Sequence, residues 1–140
     1  MQITELPFNQ HIDLQIDARG DGDEVFLKQQ SCLLNHVGSL HASVIHALAE
    51  GASGHYLILN LLPLFPQSTV LVKKASIQYK RPAMQECRAK AIVDPAALQT
   101  CIDILKRRSR TIFKIPVNVM CENKIIATAE IDWWLQVPKQ

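Results

Sequence analysis

Apolar and polar residues alternate along several stretches of this chain, and each such stretch predicts a half-buried strand. The first runs from His11 to Ala18, with Ile12, Leu14, Ile16 and Ala18 on one side and His11, Asp13, Gln15 and Asp17 on the other. Arg19-Gly20-Asp21-Gly22 is a turn cluster, and Val25, Leu27 and Gln29 resume the alternation, so the two segments read as a hairpin. Ser68 to Lys80 is a longer strand, alternating at Val70, Val72, Lys74 and Ser76 and ended by Pro82. Glu86 to Val93 repeats the pattern at Cys87, Ala89, Ala91 and Val93. Thr111 to Cys121 and Lys124 to Leu135 complete a set of six, joined by a tight Glu122-Asn123 turn.

Two stretches change period. From Leu40 to about Leu59 the spacing is helical, and the residues are unusually small: Ala42, Ser43, Ala47, Ala49, Gly51, Ala52, Ser53 and Gly54. Each glycine costs about 1 kcal/mol in a helix interior relative to alanine, so close packing must offset it. A surface that wraps around the helix would require such small residues. Asp94-Pro95 has the form of an N-cap followed by proline at the first helical position. Ala97, Leu98, Cys101, Ile102 and Leu105 follow at helical spacing, which predicts a short helix over 95–107. Six strands around one long helix argue for an α+β fold with an antiparallel sheet.

The 140 residues suit a single domain over 1–140, and 48% hydrophobic with 20% charged residues is the balance of a soluble globular chain. A net charge of +2 is too small to argue for nucleic acid as a partner. Cys32, Cys87, Cys101 and Cys121 are scattered without C-x-x-C or metal-ligand spacing, which fits a reduced, cytoplasmic protein with inert thiols and no metal. The start, Met-Gln-Ile-Thr-Glu-Leu-Pro, lacks the basic and apolar regions of a secretory signal. Tyr56 to Phe65, the most apolar run, is interrupted by Asn60 and Pro63 and falls short of the roughly 20 residues a bilayer span needs, so no membrane association is expected.

Chemistry concentrates in Asn35-His36-Val37-Gly38-Ser39-Leu40-His41-Ala42-Ser43, followed by Glu50. At the start of the long helix the N–H groups of Ala42 and Ser43 lack intrahelical partners and point out with the positive end of the dipole. Such donors can hold a developing oxyanion, and their small side chains leave room for a carbonyl. Glu50 can act as general base or nucleophile, and Asn35 can orient a water or polarise a carbonyl. Each residue also has an ordinary explanation. Glu50 can pair with His46 one turn earlier, Asn35 and Gly38 can serve the loop alone, and His41 can be a capping or core histidine. An acid within a small-residue helix is nonetheless a poor choice for packing, because a buried, unpaired carboxylate is costly.

The order Asn35, Gly38, His41, Ala42-Ser43 and then Glu50 resembles the hotdog-fold acyl-CoA thioesterases of the PaaI-like class, whose pattern reads Asn…Gly…His-Gly-Gly…Asp or Glu. Ile77-Gln78-Tyr79-Lys80-Arg81-Pro82-Ala83 is similar to the strand that follows the helix in those proteins, and the Pro95–Arg107 helix points to the branch related to the YiiD C-terminal domain. The resemblance spans about residues 10 to 135. It implies a hotdog fold, a long central helix wrapped by a six-stranded antiparallel sheet with an extra short helix between strands four and five. It also implies hydrolysis of an acyl-CoA or acyl-carrier thioester with no cofactor, and a homodimer or tetramer with a composite site. Glu50 then matches the catalytic acid, Asn35 the asparagine at the thioester or water, and Ala42 the glycine whose N–H faces the thioester oxygen; His41, Ser43 and Gly38 complete the substrate-binding set. Ala42-Ser43 departs from the paired glycines, and Val72 stands where some relatives carry a hydroxyl.

Two other functions fit parts of the pattern. A hydroxyacyl dehydratase or hydratase would use His36 and Glu50, fourteen residues apart, but Val37-Gly38-Ser39 replaces the proline-rich run such enzymes carry. A non-catalytic acyl-CoA binding protein would not need Glu50. The cluster Lys106, Arg107, Arg108 and Arg110 suits a helix C-terminus; alternatively Arg107 and Arg108, or Lys80 and Arg81, hold the phosphates of CoA. Trp133 and Trp134 must face opposite sides of the last strand, one toward the core and one toward a subunit contact or substrate wall.

Overall fold

In a computed structural model, described for residues 1–139, one six-stranded antiparallel sheet curls around a central helix, the hotdog arrangement. The strands are β1 (Gln15–Ile16), β2 (Glu24–Leu27), β3 (Thr69–Tyr79), β4 (Cys87–Ala91), β5 (Arg110–Cys121) and β6 (Lys124–Gln136). They lie in the order β1-β2-β4-β5-β6-β3. The helices are α1 (Pro7–His11), α2 (Ala42–Asn60) and α3 (Pro95–Arg108), with α3 between β4 and β5 as expected.

The long strands bury one side, as their alternation predicts. Phe113, Ile115, Val117 and Val119 of β5 face inward together with Ala127, Ala129, Ile131, Trp133 and Leu135 of β6. They pack on Ile45, Leu48, Ala49, Ala52 and Leu57 of α2, which joins them in one continuous core. The glycines of α2 sit where neighbours come closest. A Cβ on Gly51 would lie 2.8 Å from Leu14 Cδ2, and one on Gly54 would lie 3.0 Å from Ile3 Cδ1 and 3.5 Å from the Trp133 ring. His55, buried on the same helix, donates from Nε2 to the Gly22 carbonyl at 2.6 Å, tying the first turn cluster to α2.

Helix α3 begins as its sequence predicts. The Asp94 side chain accepts from Ala96 N at 2.9 Å with Pro95 at the first position, and the helix runs one residue further than 107. Ser109, in the left-handed region at φ 62°, stops it. Glu122 and Asn123 both adopt positive φ (50° and 62°), the geometry that lets a two-residue loop match the strand twist.

Three expectations change. The His11–Ala18 strand shrinks to Gln15–Ile16, because Pro7 starts a short helix and Asp13 at φ 57° breaks the extended run; Ile12 and Leu14 still point into the core. The central helix begins at Ala42 rather than Leu40, since Leu40 bridges Leu34 and His41 is the N-cap. The register of β3 on β6 shifts between Val72 and Lys74, so the half-buried set is Val70, Val72, Ala75 and Ile77, and Lys74 and Ser76 turn outward. One inserted residue swaps the faces of everything after it. β3 closes one end of the sheet, with its second edge open.

Candidate active site

The loop before α2 is closed by Asn35. Its Oδ1 accepts from Val37 N and Ser39 N, each at 3.1 Å, and its Nδ2 donates to Ser39 Oγ at 2.8 Å. Asn35 N donates to the Ser39 carbonyl at 2.8 Å, and Gly38 makes the reversal at φ 82°. One Nδ2 hydrogen of Asn35 remains for another acceptor. The loop is pinned on both sides, by Leu40 N to the Ala83 carbonyl (2.8 Å) and His41 N to the Leu33 carbonyl (2.9 Å).

His41 caps α2. Its Nδ1 accepts from Ser43 N at 3.0 Å, and its carbonyl accepts from Val44 N and Ile45 N. This revises the expected pair of oxyanion donors: the Ser43 N–H is already engaged, and the His41 ring is the group that engages it. The Ala42 N–H alone has no acceptor among the described residues. It opens on a cleft of about 300 Å³ lined by Asn35, Ser39, Leu40, Ala42, Ile45 and the segment Tyr79 to Pro82. Asn35 and Ala42, picked out as one stretch, and Lys80 with Arg81, picked out apart from them, therefore share one cleft. Tyr79 belongs with them and was not singled out: its hydroxyl donates to the Ala42 carbonyl at 3.2 Å. Its position just before Lys80-Arg81 on β3 was the available signal. His36 and Gly38 are exposed on the loop and do not line this cleft.

Glu50 does not reach the cleft within its own chain. Eight residues of helix separate it from Ala42, about 12 Å along the axis. Its side chain is 43% exposed, and its carboxylate lies 3.9 Å from His46 Nδ1, a contact too long for a hydrogen bond. The backbone beneath it is held firmly. Ser53 Oγ donates to the Glu50 carbonyl at 2.7 Å and accepts from Trp133 Nε1 at 2.9 Å. Trp133 is thus the core tryptophan, and Trp134 faces outward, half-buried.

Arg107 and Arg108 lie elsewhere. With Lys106, Leu64, Phe65 and Val137 they line an open cleft of about 1010 Å³ where α3, β6 and the chain after α2 converge. All four cysteines are free, and burial pushes the Cys87 thiol up to about 12 and the Cys101 thiol to about 11, which leaves these two unreactive. Cys87 and Cys121 stand opposite each other on β4 and β5, an adjacency their separation in sequence conceals. No helix among the described residues is long and apolar enough to cross a membrane.

A model of the family described as domain of unknown function (DUF4442) matches residues 3–135, and the chain belongs to that family. No curated protein matches it. Among solved structures, a Pseudomonas aeruginosa protein of unknown function, described as a probable thioesterase, is similar with a TM-score of 0.79 at 19% identity, over 97% of this chain and 91% of that one. A Haemophilus influenzae thioesterase has a TM-score of 0.67 at 19% identity, over 96% and 86% of the two chains. A Bacillus halodurans protein solved with CoA has a TM-score of 0.64 at 19% identity, over 89% and 72%. Likeness at this level of identity establishes the shared hotdog fold.

Proposed function

We propose that this chain hydrolyses thioesters of CoA or of an acyl carrier, as a homodimer, to a carboxylic acid and a thiol. One observation carries the reading. The free Ala42 N–H opens into a cleft at the positive end of a 19-residue helix whose single acidic side chain, Glu50, is exposed and loosely held. Similar structures described as thioesterases, and the one solved with CoA, point the same way. The α3 helix supports a place beside the YiiD-related branch.

The thioester carbonyl enters the Ala42 cleft with its oxygen at the free N–H. Since Glu50 lies about 12 Å away along α2, a second copy supplies it. Acting as general base, Glu50 takes a proton from water as the water oxygen bonds to the carbonyl carbon. The negative charge moves to the carbonyl oxygen and is held by the Ala42 N–H. Collapse breaks the C–S bond, and the proton on Glu50 passes to the departing sulfur. As nucleophile instead, the carboxylate would bond to the carbonyl carbon and expel the thiolate, and water would then cleave the resulting anhydride, its released proton ending on the thiolate. Asn35 offers its remaining N–H to the reacting group, and the His41 cap keeps the first helical turn in place. The capped Ser43 N–H leaves a one-donor oxyanion hole.

Thiol release across a panel of acyl-CoA substrates tests this. Wild type is expected to turn over at least one member, and Glu50→Ala is expected to lose about a hundredfold or more in kcat. A wild-type protein with no turnover, or a fully active Glu50→Ala, would sink the assignment.

A further inference from the structure

Trp134 is one of a row. On the outer face of the sheet it stands between Leu71 of β3 and Ile112 of β5, its cross-strand partners on either side. Leu71 is 58% exposed and Ile112 49%, and Trp134 is half-buried between them. Large apolar side chains in register on adjacent strands form a contiguous patch, which marks a contact surface where scattered single residues would not. The core does not need them: Val72, Trp133 and Phe113, their neighbours in sequence, supply the inner face of the same strands.

Cations border the row on both sides. Toward the middle of the sheet the next row is Lys74, Asp132 and Lys114, with Lys73 exposed in the bulge beside it. Toward the α3 end lie Gln136 and Arg110, which share a cleft of about 340 Å³ with Arg108 and Lys139. Lys74, Arg108, Arg110 and Lys139 have no ion-pair partner among the described residues. Lys114 reaches Glu130 at 3.5 Å, and Asp132 adds one more carboxylate, so positive charge is in excess here. The dipole of α3 accounts for Arg108 at its end but not for Arg110 or Lys139. Acids gather at the opposite edge of the sheet, where Asp13, Asp17, Asp21, Asp23 and Glu24 fall in or beside β1 and β2. A net charge of +2 thus conceals a divided molecule, whose field turns the β3 side toward an anionic surface.

We propose that this face docks on an anionic lipid bilayer, with Leu71, Trp134 and Ile112 entering the headgroup boundary and the flanking lysines and arginines at the lipid phosphates. An indole among aliphatic side chains, bracketed by cations, suits that boundary, where hydrocarbon and charge meet. A second copy laid face to face on the row would set the same cations against one another. Lying against a bilayer needs no spanning segment, so the lack of a helix long and apolar enough to cross does not bear on it. Pairing through β3 would put the rows of both copies on one side, because opposed residues of antiparallel strands share a face, and two linked rows bind more firmly than one. Docking is independent of thioester turnover.

Flotation with vesicles tests this. Wild type is expected to bind vesicles of phosphatidylcholine with about one third phosphatidylserine at least about tenfold more tightly than phosphatidylcholine alone, a preference that falls as salt rises. Leu71→Ser/Ile112→Ser and Arg108→Glu/Arg110→Glu alter only exposed residues, and circular dichroism checks that each folds. Each is expected to weaken binding to the anionic vesicles about tenfold or more. Lipids with brominated acyl chains should quench Trp134, since Trp133 is enclosed in the core, and Trp134→Phe should abolish the quenching. No wild-type binding, binding that either double variant leaves intact, or binding without quenching would overturn the docking. Binding to poly-glutamate but not to vesicles would assign the face to an acidic protein instead. A tetramer that Leu71→Ser/Ile112→Ser splits would assign it to further copies of this chain, and either result also overturns it.

Discussion

Asp17 is buried, and Arg19 grips it from solvent, Nε to Oδ1 at 2.9 Å and an Nη to Oδ2 at 3.0 Å, while reaching Glu86 at 3.1 Å. These hydrogen bonds, first the side-chain pair and then the Arg19 backbone N–H, hold the Asp17 carboxyl down at about 2 from its ordinary 3.8. The sign follows from linkage: a carboxyl more acidic in the folded state stabilises it above the ordinary value and ceases to do so as pH falls through the folded value. Urea unfolding midpoints of wild type should therefore fall between about pH 4 and 2, with a shallower fall in Asp17→Asn. Identical acid limbs in the two proteins would contradict the pairing. The same local logic explains Asn35 and His41. Asn35 was legible as a candidate because an amide can polarise a carbonyl or orient a water, and His41 because it completes the Asn…Gly…His order and suits a helix cap. The loop and cap roles that the sequence also offered for them are the ones the hydrogen bonds show: three of Asn35's hydrogen-bonding positions and one of His41's are spent locally.

At the scale of the element, α2 resolves the question its glycines raise. Gly51 is small because Leu14 comes down on it, and Gly54 because Ile3 and Trp133 do. Gly51→Ala should gain little in wild type, since a Cβ meets Leu14 Cδ2 at 2.8 Å. In a Leu14→Ala background the same substitution should stabilise by about 1 kcal/mol, the ordinary helix gain. Equal effects in both backgrounds, read by chemical denaturation, would mean that Leu14 is not the constraint. Long elements with strong periods (α2, α3, β5, β6) were legible because a dozen residues reinforce one pattern. Short or irregular ones were not. Alternation through Ile12, Leu14 and Ile16 was real as burial but misleading as a strand, because a chain can alternate while crossing the core without pairing. The bulge at Lys73 left no mark, since Val72 and Lys74 satisfy either register until β6 is in place. Tyr79 was missed for a similar reason: its partner, the Ala42 carbonyl, is 37 residues away.

At the scale of the molecule, one chain presents half of two things. It has a helix N-terminal N–H, that of Ala42, with neither an acceptor nor an acid beside it among the described residues, and an 11-residue strand paired with β6 on one edge only. Long open edges invite pairing, and natural proteins usually blunt them with short strands, charge or proline. β3 contains two lysines, Lys73 and Lys74, at its middle, yet offers Val70, Val72, Ala75 and Ile77 half-buried along its length. If, as proposed, the chain pairs with a second copy through β3 and Glu50 serves the partner's Ala42 cleft, assembly and chemistry should fail together. Wild type is expected to run at twice the 15.7 kDa chain mass, with an unfolding midpoint that rises with protein concentration. Val72→Lys tests the link without touching the reacting groups. Its stem can lie along the Trp133 side while its charge reaches solvent, and near the two-fold axis two such charges would repel. This variant should fold as a monomer and lose thioester turnover although Glu50, Asn35 and Ala42 are intact. A monomeric Val72→Lys that keeps wild-type turnover would show that one chain is enough and would move the search for the acid beside Ala42 back inside a single subunit.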